Sequence, residues 1–298
     1  MDGILIIRKE QGFTSFDVVA KLRGILHMKK IGHTGTLDPD AEGVLPVAIG
    51  AATRLVDLFT EKQKTYEALL HLGITTDTQD MSGEVLSEKE VTVTEEQVFQ
   101  VIESFLGPQE QVPPMYSALK VNGKKLYELA REGKVVERKA RPVHFYEIKV
   151  LEMDLPKVRF SVTCSKGTYI RTLCNDIGEK LGCGGCMEHL LRTRTGSFEL
   201  SEAVTLSEVE CAMKEGRIED MIHSIDEVLS EYPRICCKQE ADRLLSNGNP
   251  IPDTLMTEQG KEGWIRMCAS TGAFVGIYEW NGRKGMYHPV KMFYPGNA

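Results

Sequence analysis

The stretch from Gly32 to Pro46, Gly-His-Thr-Gly-Thr-Leu-Asp-Pro-Asp-Ala-Glu-Gly-Val-Leu-Pro, cannot continue as a helix or a strand. Glycines at 32, 35 and 43 release the backbone, and prolines at 39 and 46 fix φ and remove an N–H donor. The stretch is therefore a loop of defined backbone shape between regular elements, the setting in which binding and catalytic side chains concentrate. It offers a histidine, His33, and a carboxylate, Asp38, whose direction is set by the proline that follows. An isolated Asp-Pro pair commonly does no more than cap a backbone N–H in a turn, so the role of this loop depends on its surroundings.

Those surroundings alternate strand and helix. Ile4 to Ile7 reads as a strand, Gly12-Phe13-Thr14 as a turn, and Ser15 as the N-cap of a helix bearing Val18, Val19, Leu22 and Leu26. Lys64 to Gly73 alternates as a strand, and Thr94-Glu95-Glu96-Gln97 is a capping box whose helix stops at Gly107-Pro108. Val158, Phe160, Val162 and Cys164 share one face of a strand; Gly167 then turns the chain into a helix carrying Ile170, Leu173, Ile177 and Leu181. Tyr169 and Arg171 fall where that strand gives way to that helix. Strands outnumber helices, which points to the α+β class, a mixed sheet with flanking helices. Tyr232-Pro233 closes an acidic helical stretch, and strand-like runs follow near 264–268, 274–280 and 286–293. Two domains are expected, 1–231 and a small β-rich module at 232–298.

The chain has 298 residues and a formal charge of −7, which by itself disfavours a polyanionic partner. The distribution matters more than the sum. Lys120 to Arg141 holds eight basic residues against three acids, a local excess of five positive charges, while acids gather between Glu202 and Glu231. Eight cysteines lie scattered rather than framed as in a small secreted domain, so reduced thiols are expected. No apolar run approaches the roughly 18 residues that cross a bilayer. Met1-Asp2-Gly3 leads straight into a strand-like run, so a cytoplasmic protein without a signal peptide is expected.

The Gly-His-Thr-Gly-Thr-Leu-Asp-Pro run closely resembles the catalytic loop of the TruB-type tRNA pseudouridine synthases. Further segments resemble the same family in the same order. Lys9, Gly12, Thr14 and Ser15 resemble its N-terminal signature, although Glu10 stands where the family has proline. Lys64-Thr65-Tyr66 and the run from Leu72 to Asp80 resemble its tyrosine-bearing strand and acidic loop. Pro113 to Lys120, with Gly123, Tyr127, Ala130-Arg131 and Gly133, resembles the insertion of the bacterial enzymes, here at about 108–142. Gly167 to Leu173 resembles the segment with the second tyrosine and the arginine. The likeness covers roughly residues 4 to 210, and the β-rich end resembles the family's PUA-like RNA-binding domain.

The resemblance implies a pseudouridine synthase fold with a largely antiparallel sheet, acting on the T-arm uridine at position 55 of elongator tRNAs, with no cofactor and no metal. It implies that Asp38 is the nucleophile and that Arg171 is its adjacent cation, keeping it ionised through a two-pronged contact. Tyr66 would stack on the flipped base, Tyr169 would close the other side and take the C5 proton, and Leu190 would pack on the base. His33 is assigned to displacing the flipped nucleotide rather than to acid–base work. Asp80 either positions RNA or forms an Asx-turn. Lys120, Lys124 and Arg141 are assigned to RNA contact, on an insertion expected to order over the substrate. A monomer partnered only by tRNA is expected, with no membrane, and an accompanying tRNA chaperone role is compatible with base flipping. Whether Asp38 attacks C1′ or C6, or promotes a glycal route, the sequence leaves open.

Cys183-Gly184-Gly185-Cys186 with His189 echoes a zinc motif, but three ligands without a second Cys pair make zinc unexpected. An aspartyl phosphohydrolase is a rival reading of Asp38-Pro39-Asp40, yet it wants an apolar strand running into the first aspartate and a magnesium site. A second rival, an RNA-binding protein that has lost its chemistry, conflicts with the intact Asp38, Tyr66, Tyr169 and Arg171.

Overall fold

The computed structural model describes residues 1–121 and 123–293. A ten-stranded sheet organises the first 223 residues of the chain. Its order is Ile222–His223, Gly3–Lys9, Glu42–Ile49, Gly185–Thr195, Lys64–Leu72, Lys157–Cys164, Arg141–Asp154 and Gly107–Gln111, with Ile31–His33 added to Glu42–Ile49 and Phe198–Glu199 to Gly185–Thr195. Every ladder is antiparallel except one: Gly185–Thr195 runs parallel to Glu42–Ile49, with Leu191 opposite Glu42 and Arg192 opposite Gly43. The sheet is therefore mixed and largely antiparallel, the α+β class. At the parallel junction Gly43 has φ +110°, and a Cβ there would fall 2.1 Å from the Arg192 carbonyl oxygen, so only glycine fits. The junction joins the exit of the Asp38 loop to the strand that carries Leu190.

Helices cover the sheet because its strands are patterned for it. In Lys64–Leu72, residues 64, 66, 68, 70 and 72 are buried and the alternate ones half-buried. Ala68 and Leu70 join Phe160, Val162 and Phe145 beneath helices Glu95–Glu103 and Ile170–Leu181, which contribute Val98, Ile102, Leu173 and Ile177. A second core lies where helices Ser15–Ile25 and Leu206–Lys214 pack Val18, Val19, Leu22 and Val209 on Leu5, Ile7, Leu45 and Val47. Truncating a fully buried ring such as Phe160 to alanine would cost about 3–5 kcal/mol.

Four local expectations need correction. The stretch from Gly32 to Pro46 is not loop throughout: Gly32 and His33 belong to strand Ile31–His33 and residues 42–46 open strand Glu42–Ile49, which leaves 34–41 as the loop. Thr14, not Ser15, is the N-cap of the first helix: its hydroxyl accepts the Asp17 N–H while Asp17 takes the Thr14 N–H at 2.8 Å. Ser15 is instead buried and turned toward the Asp38 loop. The helix opened by Thr94 ends at Glu103, and Gly107 begins a strand. That strand pairs with Arg141–Phe145, so the root of the insertion belongs to the main sheet and the projecting part spans 112–140.

The C-terminal residues form a curled five-stranded sheet, ordered Arg234–Cys236, Trp264–Cys268, Phe274–Asn281, Met286–Met292, Ile251–Pro252, around Ile235, Leu245, Ile265, Met267, Tyr278 and Tyr287. This is the small PUA-like module. Ile277, Trp264 and Phe274 share a cluster with Phe59, Phe198, Ile225 and Leu229, and Lys291 meets Asp57 at 2.9 Å, so the module is docked on the larger sheet. Among the described residues no helix is long and apolar enough to cross a membrane.

Candidate active site

The Asp38 loop is fastened from three sides. Arg192, 1 % exposed, donates from Nε to the Val44 carbonyl at 2.7 Å, from Nη2 to Gly35 at 3.2 Å and from Nη1 to Thr36 at 3.4 Å. Lys9, fully buried, donates to the carbonyls of Pro39 and Glu10, both at 3.0 Å. Ser15 exchanges hydrogen bonds with Leu37, taking its N–H at 2.8 Å and donating to its carbonyl at 3.2 Å. Burial pushes the Lys9 ammonium down to about 8 despite Asp40, Glu42 and Asp38 nearby. Lys64, also buried, is pushed down to about 8 by burial and by Arg192, and donates to Thr60 and Lys62 carbonyls. Two buried cations, Lys9 and Arg192, thus hold the loop through its carbonyl oxygens, which are otherwise costly to leave unpaired, and Lys64 does the same for the turn at 60–62.

Asp38 emerges from this frame beside Arg171, with Oδ2 3.2 Å from Nη2. Arg171 does not give Asp38 both prongs. Its Nη1 donates to Asp80 Oδ2 at 3.3 Å, and Nη2 also donates to the Tyr116 carbonyl at 2.7 Å. The fork is divided because Asp80 is itself fixed, accepting from the Thr78 hydroxyl at 2.8 Å and from the N–H of Ser82 at 3.1 Å in an Asx-turn. One cation therefore serves two carboxylates. The Asp38 side chain is 40 % exposed, but into a recess rather than open solvent. Burial raises its carboxyl above the ordinary range; Arg171 opposes this, Asp80 adds to it, and Lys9 opposes it more weakly. The cation beside Asp38 moderates the upward shift without overcoming it.

The recess is a cleft of about 1050 Å³. Asp38, Tyr66, Tyr169, Arg171, His33, Leu190 and Arg141 all border it. Tyr66 and Leu190 face the same side because their strands are neighbours, with Leu190 opposite Ala68 and Arg192 opposite Tyr66. Tyr169 is the N-cap residue of helix Ile170–Leu181. Burial raises its phenol, with Ser117 and Arg171 pulling the other way, so it is a neutral hydroxyl at pH 7. The imidazole of His33 is pushed down, by burial and then by Arg192, and its buried Nδ1 has no hydrogen-bond partner among the described residues. A neutral imidazole fits a contact role better than proton donation.

Asp80 does not border the cleft; it reaches Asp38 only through Arg171. Lys120 and Lys124 also lie outside it, on the short hairpin Lys120–Val121 and Lys124–Lys125, and Lys124 meets Glu132 at 3.3 Å. Other insertion residues reach the cleft instead: Tyr116, Ser117, Tyr127 and Arg131. Cys183 and Cys186 are buried thiols and His189 meets Glu42 at 3.1 Å; among the described residues no three His, Cys, Asp or Glu side chains gather as metal ligands would. The strand Ile31–His33 ends well before Asp38, unlike the arrangement a phosphohydrolase needs.

Sequence reading missed the site's buried polar frame: Arg192, Lys64 and Gln111. One signal was present for Arg192, which stands two residues beyond Leu190 in a strand and so shares its inward face.

Residues 23–170 match the family model described as TruB family pseudouridylate synthase, N-terminal domain, and 171–230 match the tRNA pseudouridylate synthase B C-terminal domain. A tRNA pseudouridine synthase B of Lachnoclostridium phytofermentans is 51 % identical over 306 residues, spanning 98 % of this chain and 100 % of the relative. The chain belongs to the TruB family. Other members are similar over most of their length: that of Clostridium novyi is 51 % identical across 93 % of this chain and 95 % of its own, and that of Bacillus pumilus 41 % across 98 % and 94 %. Among solved structures, a chain of an H/ACA RNP bound to a substrate RNA containing 2′-deoxyuridine superposes with a TM-score of 0.75 at 26 % identity, covering 99 % of this chain and 86 % of the other. The boundary between the two TruB family models falls at residue 170, inside the site, between Tyr169 and Arg171.

Proposed function

We propose that this TruB family member converts the T-arm uridine at position 55 of elongator tRNAs to pseudouridine, with Asp38 as nucleophile and no cofactor. The observation that carries this reading is a single carboxylate at a cleft large enough for an extruded nucleotide, held beside a buried guanidinium and flanked by Tyr66, Tyr169 and Leu190. The reaction breaks the N1–C1′ bond and forms C5–C1′; the C5 proton leaves and N1 gains one, so atoms and oxidation state balance without a redox group. An ionised Asp38 supplies the nucleophile. Tyr66 provides a face for the detached base, where stacking is worth about 1–3 kcal/mol, and Leu190 packs beside it. As a neutral phenol, Tyr169 takes the C5 proton only by passing its own onward, and Asp38, freed from its adduct, borders the same cleft to receive it.

A stacked uridine must be flipped to arrive here. His33, at the mouth of the Asp38 loop, takes the place of the displaced base. Arg141 meets the RNA at the cleft, Lys120 and Lys124 meet it at long range from the insertion, and residues 232–298 bind RNA outside the T loop. The protein acts as a monomer, and opening the T arm gives a chaperone role beside catalysis. The test is to map pseudouridine in an in vitro tRNA transcript by carbodiimide-dependent primer extension, with and without EDTA. One new stop at position 55, unaffected by chelator, is expected; stops elsewhere, or loss of the stop with EDTA, would overturn the assignment.

A further inference from the structure

We propose that Gln111 is a positioning residue for Tyr169, fixing how the tyrosine and, two residues on, Arg171 enter the cleft. The proposal rests on the reading of that cleft as the uridine-isomerising site. Gln111 closes the strand Gly107–Gln111 and is 4 % exposed. Its Oε1 accepts the Tyr169 N–H at 2.8 Å, and its Nε2 donates to the Tyr169 carbonyl at 3.0 Å. Tyr169 has φ −101° and ψ 110°, an extended residue at the mouth of a helix, and the helix has no side-chain cap of its own. A primary amide offers a donor and an acceptor side by side, so it pairs with one extended residue as a neighbouring strand would. The glutamine thereby takes the part of a missing strand across 58 residues of sequence.

The clamp has a second end. Five residues after Gln111, the Tyr116 carbonyl accepts from Arg171 Nη2. The segment leaving Gln111 therefore touches the backbone of one site residue and the guanidinium of another, and both settle the helix start against Asp38. Losing the amide frees the backbone torsions of Tyr169 without removing any group that contacts RNA, so the effect belongs in the chemical step and not in binding. A misplacement near 1 Å costs about 100-fold in rate.

Gln111→Glu and Gln111→Leu test this in single-turnover tritium release from a T-arm stem-loop labelled at uridine C5, between pH 5.5 and 8.5, with stem-loop affinity measured by fluorescence anisotropy. A neutral glutamic acid reproduces the donor and acceptor, whereas its carboxylate only accepts and repels the Tyr169 carbonyl. Burial favours the neutral acid and Arg141, its ladder partner, the ionised one. Asp38 must be ionised in both proteins, so the rate of Gln111→Glu relative to wild type at the same pH should rise as pH falls. Gln111→Leu should lose about 10- to 100-fold at every pH with affinity unchanged within about twofold. Wild-type rate and pH dependence in Gln111→Glu would overturn the proposal, as would a loss that follows RNA affinity or melting temperature and is not restored at low pH. Absence of tritium release from the wild type would instead overturn the functional reading beneath it.

Discussion

The loop that carries Asp38 and the insertion that follows Gln111, which includes the short helix Leu126–Arg131, both reach the cleft, and they are built in opposite ways. The Asp38 loop is pinned by buried donors from Lys9 and Arg192 and by Ser15, which both accepts from and donates to Leu37. Among the described residues the insertion has a small core of Met115, Leu126 and Leu129, and its Lys124–Glu132–Lys134 ion pairs are exposed and so add little. Val135 stands 82 % exposed on it. Chemistry at one carbon atom requires a carboxylate that does not wander, and the price is burying cations that lack carboxylate partners. Fitting an RNA of variable surroundings requires the reverse, a segment with little stability to lose when it rearranges.

The two meet at Arg171, where the largest effect is expected. Arg171→Lys replaces a planar fork by one ammonium, which cannot serve Asp38, Asp80 and the Tyr116 carbonyl together. A fall in kcat of about 100-fold or more is expected; activity within threefold of wild type would mean that the divided fork is irrelevant. Next, Arg192→Met leaves the carbonyls of Gly35, Thr36 and Val44 without their donor. Folding stability should drop by about 3 kcal/mol in urea unfolding, and a loss below about 1 kcal/mol would show that the loop is held by other contacts. The smallest effect belongs to the insertion: Lys120→Ala with Lys124→Ala should change stability by less than about 0.5 kcal/mol. The same pair should weaken stem-loop binding only a few-fold while lowering the salt slope by about 1–2. An unchanged slope would detach the insertion's charge from the RNA.

Legibility in the sequence divides along the same line. The sheet strands were readable because their burial alternates, as at Val158, Phe160 and Val162, and the loop was readable from Gly35 and Pro39, although its ends at Gly32 and Gly43 belong to strands that the glycines masked. What escaped was whatever depends on partners distant in sequence. Arg192, Lys9 and Lys64 are residue types that ordinarily face solvent, and their burial follows only once carbonyls from the Asp38 loop and the residues beside Lys64 are folded over them. Gln111 finds Tyr169 across the sheet, and Ser15 looked like a cap because its partner Leu37 lies 22 residues away. The division of Arg171 between Asp38 and Asp80 needed the Asx-turn that fixes Asp80. The parallel pairing of Leu191 with Glu42 has no local signature at all.

Asp38→Asn offers the most direct trial, read as single-turnover tritium release alongside thermal melting. Because burial holds the Asp38 carboxyl above its unfolded value, the ionised form costs folding stability at neutral pH, a cost that fades as pH falls through the folded value. The neutral amide should therefore melt at or above the wild-type temperature at pH 7 while releasing tritium about 10⁴-fold more slowly or not at all. Release at the wild-type rate from a folded Asp38→Asn protein would contradict the assignment of that carboxylate as the nucleophile.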